Sequence, residues 1–532
     1  MDSGSGKQHR PQITMAGATD LDSSYDFIVC GAGAAGCVVA ARLAEQPEIR
    51  VLLIEAGGDG VCSATTEPGS WPLNLGTERD WAFESEPGQH VNGRRLPLNM
   101  GKGLGGGSSI NVMVWARGHQ SDWEYFASEA GDPAWGYASV LGYYRRIEDW
   151  QGAADSHRRG SGGPVHVAPP AAPQPLAQVT VEAAGLLGIP RFDSPNGAMM
   201  EGPGGAAIAD LSIRYGKRQS MYQAYILQRP HRQNLTVLPH ALVSRLRLEG
   251  RKVTGVEVLM DGALRTIEAR REVILCLGAI NTPKVLMQSG IGPEEELRAH
   301  GVHVVQHLPG VGRNHQDHVA FGCTWEYLQP QEIGGGGCEA KLYWKSDSRL
   351  DAPDLLHCQL EFAVPSPAEV GIAAPEHGWT MFAGLAQPKS RGRLRLSGAG
   401  PLDRMLIEPN SLSEPEDMTA ALSTIELCRE LGNHRAFGRL VKREVVPGQR
   451  DRRAMEQFIR NSAVTYWHQS CTAKMGRDAE SVVDHRLRVY GIDNLRIADA
   501  SIMPRITIGN TMAPCVVIGE RAADMIRADH TL

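Results

Sequence analysis

Between Tyr25 and Glu55 the hydrophobic pattern changes period several times, and each change predicts an element. Phe27-Ile28-Val29 is an unbroken apolar run of the kind a parallel strand buried on both faces needs. Gly31-Ala32-Gly33-Ala34-Ala35-Gly36 ends it, and a small-residue amphipathic helix follows through Leu43. A second apolar run, Val51 to Ile54, predicts another strand and stops at Glu55, followed by Ala56 and a glycine loop. Strand, glycines, helix, strand and terminal acid in that order predict a dinucleotide-binding βαβ unit. Gly31 permits the tight turn, Gly33 admits backbone amides to a pyrophosphate, and Gly36 lets the helix lie close on the strand. The helix N-terminus, opening on Ala34 and Ala35, offers free N–H groups and a partial positive charge to phosphates. Glu55 stands where a carboxylate accepts ribose hydroxyls. The motif leaves FAD and NAD equally open.

Further on, Asp122 to Trp150 has helical periodicity, with aromatic residues that core packing explains. Gln151 to Pro175 turns polar and then rich in glycine, proline and alanine, as a domain junction does. From Leu235 to Leu277 the pattern predicts short strands: LTVLP, LVSRLRLE, KVTGVEVLM, LRTIEAR and the apolar EVILCLGA. Such a meander suits a nucleotide-binding domain that is interrupted and then resumed. Gly278 to Gly292 predicts a turn, a short helix and a glycine stop; Gly334 to Gly337 predicts a mobile loop; Ser390 to Gly398 predicts a strand with one charged face.

Composition narrows the class. With 42% hydrophobic and 21% charged residues the chain suits a globular enzyme, and 532 residues allow two or three domains. A net charge of −6 argues against nucleic acid as the main partner. No apolar run nears the ~20 residues that a membrane span needs. Met1 to Ser24 is polar, lacks an apolar signal-peptide core, and is expected to be a disordered leader. The ten cysteines include no CxxC pair, and several sit in apolar contexts, which favours a reduced, cytoplasmic setting.

Two further stretches carry candidate chemistry. Gly101-Lys102-Gly103-Leu104-Gly105-Gly106-Gly107-Ser108-Ser109-Ile110-Asn111 is too rich in glycine for a stable helix or strand. It runs straight into Val112-Met113-Val114-Trp115, so it reads as backbone folded against a ligand and not as a linker. Near the C-terminus, Trp467-His468 lies among aromatics and hydroxyls, and Leu495 to Ile497 leads to Asp499-Ala500. Asn510-Thr511-Met512 then opens a helix with Pro514 in its first turn, a second ready anion site.

Together these stretches resemble the glucose–methanol–choline (GMC) oxidoreductases, FAD-dependent alcohol-oxidising enzymes, from about Tyr25 to the C-terminus. Gly101–Asn111 with Trp115 and Gly118 fits the family's first signature, Gly278–Gly292 its second, and Trp467-His468 with Asn510 its active-site pattern. The resemblance implies an α/β fold. A Rossmann-like FAD-binding domain would be assembled from 25–165, 225–315 and 465–532. A substrate-binding domain from 166–224 and 316–464 would have a mostly antiparallel sheet with helices. By the family's pattern, Gly31, Gly33, Ala34, Ala35, Gly36, Glu55 and Ala56 would hold the ADP half, with Val243 at the adenine. Gly101, Gly106, Asn111, Val112, Met113, Val114, Trp467, Thr511 and Met512 would line the flavin, and Asp499 and Ala500 the ribityl–pyrophosphate region. Some relatives bond the flavin through a histidine one residue before the matching Asn. Here Ile110 has no nucleophile, which implies non-covalent FAD.

The resemblance also implies a mechanism. His468 would take the alcohol proton as general base, Asn510 would hydrogen-bond the substrate oxygen, and hydride would pass to flavin N5. Oxygen or a quinone- or dye-type acceptor would reoxidise the flavin. Trp467 before the base is shared with aryl- and furfural-alcohol oxidising relatives, which points to a primary alcohol, aromatic or otherwise unsaturated. Glu361 and Phe362 are candidate substrate-pocket residues, but two residues do not make the aromatic cage that choline wants. The alternatives are a hydroxynitrile lyase on the same scaffold, a choline-type dehydrogenase, a flavin-binding protein without turnover, and an NAD dehydrogenase. Gln469 and Ser470-Cys471-Thr472 depart from the commoner family pattern after the histidine.

Overall fold

The computed structural model describes residues 14–15, 17, 21–228 and 232–532. Strand β1 (Ser24–Cys30), helix α1 (Ala34–Leu43) and strand β2 (Val51–Ile54) form the expected βαβ unit, β1 and β2 pairing in parallel. β1 is almost wholly buried and α1 loses all but two of its residues from the surface. That is why their sequences are apolar without alternation.

Among the described residues eight strands make up the first sheet. Leu235–Leu238 adds in parallel to β2, and Ala263–Leu275 adds in parallel to the other side of β1. LRTIEAR and EVILCLGA, expected as two strands, form this one thirteen-residue strand. Its first half pairs antiparallel with Lys252–Met260, and its second half is parallel to β1 and Leu495–Ile497. A register shift between Ala269 and Glu272 marks the change of partner. Alternation in the first half and continuous apolarity in the second record one face exposed and then none. Most of the Met1–Ser24 leader lies outside the described residues. Of the part described, Thr14–Met15 is not loose but pairs in parallel with Thr236–Val237, covering an otherwise open sheet edge.

Among the described residues the second sheet has seven strands, all antiparallel. It includes Gly205–Ile208, Val319–Tyr327, Ala340–Trp344, Leu355–Leu360 and Gly378–Leu385. One face packs on the helix Pro415–Gly432 around the stacked Trp325 and Trp379. The other face carries Tyr343, Leu356, Cys358 and Phe382 into a core shared with Val114, Tyr466 and Ile508. The segments that carry the candidate chemistry lie on this side. The predicted helix from Asp122 is two helices, Gln120–Ala130 and Tyr137–Ile147, broken where Gly131 takes left-handed φ before Pro133. Gly278–Gln288 is helical and Arg393–Leu396 is a strand, as the pattern indicated.

Two details differ from the sequence reading. Cys338 and Cys358 form a disulfide, so not all ten cysteines are free thiols. The pairing is possible because Cys338 leads into the strand whose Lys341 lies opposite Cys358. The Gly334–Gly337 loop, expected to be mobile, closes a turn from Gly337 N–H to the Gly334 carbonyl, and the Trp71 indole donates to the Gly336 carbonyl. Among the described residues no helix is long and apolar enough to cross a membrane.

Candidate active site

A single cavity of about 540 Å³ runs from the β1–α1 turn to His468. Gly31, Gly33, Ala34, Ala35, Glu55, Ala56 and Val243 line one end. Gly101, Gly106, Asn111, Val112, Val114, Asp499, Ala500, Thr511 and Met512 line the middle. His468, Asn510, Trp467 and Phe362 lie at the other end. Three anticipated residues do not reach its wall. A Cβ on Gly36 would sit 1.9 Å from the Gly31 carbonyl oxygen, so its contribution is the close approach of helix to strand. Met113, at φ +58, is fully buried and turns towards Gly336. The Glu361 carboxylate turns away to accept the Gly334 N–H, and burial pushes it up to about 7.

At the β1–α1 end of the cavity the wall is largely backbone. Gly33 caps α1 without any side-chain hydrogen bond, which leaves the first-turn N–H groups facing the cavity. A Cβ on Gly33 would meet nothing within 4 Å of protein. Glu55 is held by N–H groups of Ala32 (3.0 Å), Gly57 (2.9 Å) and Gly103 (3.0 Å), so it also ties the two glycine-rich stretches together. Burial raises its carboxyl, and these donors oppose the rise. Asp499 is similarly fixed, accepting from Gly278 N–H at 2.9 Å, Thr282 Oγ1 at 2.6 Å and Ser501 N–H at 2.8 Å.

The far end is built around two histidines. His468 Nδ1 lies 2.8 Å from Nδ1 of His318, and the Asn510 amide nitrogen lies 3.2 Å from His468 Nε2. The amide can only donate, so Nε2 carries the lone pair, Nδ1 carries the proton, and His318 accepts it. Burial drives the His468 ring well below the ordinary imidazole range, with the charges of His318 and Lys341 adding to it; His318 falls to about 3. Both rings are therefore neutral at pH 7, and His468 Nε2 can accept a proton. Asp317 fixes the Trp467–Gln469 segment, accepting the His468 N–H at 2.8 Å and the Gln469 amide at 3.0 Å. Trp467 holds left-handed φ (+60°), a conformation worth roughly 1 kcal/mol or more of strain, and its indole donates to Asn99 Oδ1 at 3.0 Å.

Trp71, Phe362, Phe382, Tyr466 and Trp467 wall the space beside His468. Trp71 lies 6.5 Å from Trp467 and 6.2 Å from Phe362, and Phe382 is 6.4 Å from Trp467. Sequence reasoning missed Asp317, His318, Asn99, Trp71 and Phe382. The run His315-Gln316-Asp317-His318, four polar residues against an apolar strand start, was the available signal for two of them.

Two family models of GMC oxidoreductases match residues 25–320 and 388–519. The chain belongs to the GMC oxidoreductases. It is 37% identical over 545 residues to an oxygen-dependent choline dehydrogenase of Pseudomonas savastanoi pv. phaseolicola, covering 96% of this chain and 94% of the relative. A Burkholderia thailandensis relative described in the same words is 38% identical over 535 residues, covering 94% of each. Among solved structures, pyridoxine 4-oxidase from Mesorbium loti superposes with a TM-score of 0.89 at 33% identity, covering 96% of this chain and 99% of that one. Formate oxidase gives 0.87 at 25% identity over the same shares. The GMC assignment makes this chain an FAD-dependent oxidoreductase acting on CH–OH donors. The residues present fit that cofactor. An uncapped helix N-terminus and a side-chain-free approach at Gly33 suit a pyrophosphate, the fixed Glu55 suits a ribose, and Ile110 offers no atom for a covalent bond.

Proposed function

We propose that this GMC enzyme oxidises a primary alcohol bearing an aromatic or otherwise unsaturated group to its aldehyde. Bound FAD supplies the hydride acceptor, N5 of the flavin. His468 Nε2, neutral and carrying a lone pair, takes the hydroxyl proton, and the positive charge is shared over the N–H···N bond to His318. Asn510 donates its amide N–H to the substrate oxygen and holds it in line. Gly33, Ala34, Ala35 and Glu55 hold the ADP half, while Asn111, Val112 and Val114 line the flavin. Residues 25–165, 225–315 and 465–532 form the FAD-binding unit, and 166–224 with 316–464 the substrate-binding unit.

The aromatic wall beside His468 carries the substrate reading. Trp71, Phe362, Phe382, Tyr466 and Trp467 offer flat apolar contact, and among the described residues the carboxylates lining the cavity are Glu55 at the β1–α1 end and Asp499 in the middle, neither beside this wall. A second reading is a choline-type substrate, favoured by the same aromatic faces and by the choline dehydrogenase relatives. The test is anaerobic bleaching of the flavin bands by benzyl alcohol, cinnamyl alcohol and choline. Aromatic alcohols should bleach the flavin faster than choline, and the reverse order would replace the first reading with the second. Recovery on admitting air identifies oxygen as acceptor; recovery only with a quinone or dye identifies a dehydrogenase. Flavin that no alcohol bleaches favours a non-redox lyase.

A further inference from the structure

Among the described residues, Arg218 is a buried cation without a counter-charge. It lies on the short hairpin pairing Ile213–Arg214 with Lys217–Arg218, and is 2% exposed. Among the described residues no carboxylate comes within ion-pair distance of it, whereas the comparably buried Arg117 and Arg496 hold Glu148 and Glu272. Its Nε and Nη2 have no hydrogen-bond partner among the described residues. Burial alone lowers it to about 9. Leaving a guanidinium buried in this state is costly, and such charges persist where an opposing charge completes the site.

The one strong bond Arg218 makes shows where that charge belongs. Nη1 donates to Asn111 Oδ1 at 2.8 Å, with the Ser108 carbonyl further off at 3.4 Å. Asn111 Oδ1 also accepts the Met113 N–H at 2.9 Å, so the amide oxygen is fully engaged on the side away from the cavity. The NH2 group is thereby turned the other way, 3.1 Å from Met512 Sδ, and both Asn111 and Met512 line the cavity. Arg218 itself does not line it. The guanidinium therefore sits one side chain behind the wall, polarising a donor that faces inward.

We infer that Arg218 is a positioning residue for the cofactor: it locks the Asn111 amide with its NH2 towards the bound FAD and sets a buried positive charge behind it. This rests on the reading in which the 101–114 stretch lines the flavin. FAD gains negative charge on accepting hydride, so a cation screened by little dielectric favours the reduced form over the oxidised one. The free apoprotein bears the cost of the unpaired charge, and the holoprotein recovers it.

The experiment compares wild type with Arg218→Met, Arg218→Lys and Asn111→Leu. It measures the midpoint potential of bound FAD by anaerobic titration against a reference dye, and the melting temperature of apo- and holoprotein. Arg218→Met should shift the two-electron equilibrium at least tenfold towards oxidised FAD, which is about 30 mV more negative. Its apoprotein should melt at the wild-type temperature or above, because an apolar chain replaces an uncompensated charge. Arg218→Lys should restore most of the potential. The inference is overturned if Arg218→Met leaves the potential unchanged, or if its apoprotein melts as far below wild type as its holoprotein. Should Arg218→Met fail to fold, Arg218→Lys decides: a wild-type potential supports the charge, and a loss as large as in Asn111→Leu overturns it. If wild type binds FAD but Asn111→Leu leaves the potential unchanged, the flavin does not lie against this stretch, and both the placement and the inference fall. A shift in Asn111→Leu alone removes only the inference.

Discussion

At the scale of single residues, protonation states decide the chemistry. In the proposed mechanism the base must be unprotonated when substrate arrives, and burial keeps His468 so well below the pH at which free imidazole titrates. Two outcomes follow. His468→Ala should lower the rate of anaerobic flavin reduction by about 10²–10⁴-fold while FAD content is unchanged, since the ring lies at the end of the cavity away from the β1–α1 turn. The acid limb of kcat/KM should lie well below pH 6.5, because the base is lost only as pH falls through the depressed value; a limb at 6.5 or above would show that another group titrates. His468 entered as a candidate through the family's pattern of Trp467-His468 with Asn510, and folding brings the Asn510 amide to 3.2 Å from its Nε2. His318 was not legible in sequence, because it precedes His468 by 150 positions and only folding sets their nitrogens 2.8 Å apart.

Among elements, the glycines of the β1–α1 turn divide into the two kinds that their places in the motif predict. A Cβ on Gly36 collides with backbone at 1.9 Å, whereas one on Gly33 meets no protein atom within 4 Å. Gly36→Ala should therefore prevent folding. Gly33→Ala should fold with an unchanged apoprotein melting temperature and retain FAD poorly, as read by equilibrium dialysis. The 101–118 stretch is anchored by a buried network: Glu148 receives Arg117 and the Trp115 indole (2.7 Å), and Arg159 bridges Glu148 and Asp210 at 3.0 Å each. Glu148→Gln leaves two buried guanidiniums short of a charge and should cost about 3–5 kcal/mol of stability by urea unfolding. Helix and strand existence was readable from hydrophobic period. Which strand halves share a sheet was not, as Ala263–Leu275 shows, because partner choice depends on segments far away in the chain.

Across the whole molecule, the buried neutral histidines link stability to pH. Burial depresses His315 and His357 to about 4 and His318 to about 3, and the unfolded chain protonates each near 6.5. Their contribution is whole above pH 6.5 and is lost as pH falls towards those folded values, at about 1.4 kcal/mol per pH unit for each ring. The melting temperature should therefore decline steeply below pH 6, and His357→Gln should flatten the slope. A pH-independent melting temperature between 6 and 4 would count against neutral burial. The local sequence determined the βαβ unit, the glycine-rich stretches that line the cavity and the family, because each depends on residues within a few turns of one another. Tertiary structure alone decided the His318–His468 pair, the aromatic wall, the Cys338–Cys358 bond and the turning of Glu361 away from the cavity. Those depend on distances between segments that the chain brings together only when both sheets have formed, and no local pattern encodes such a distance.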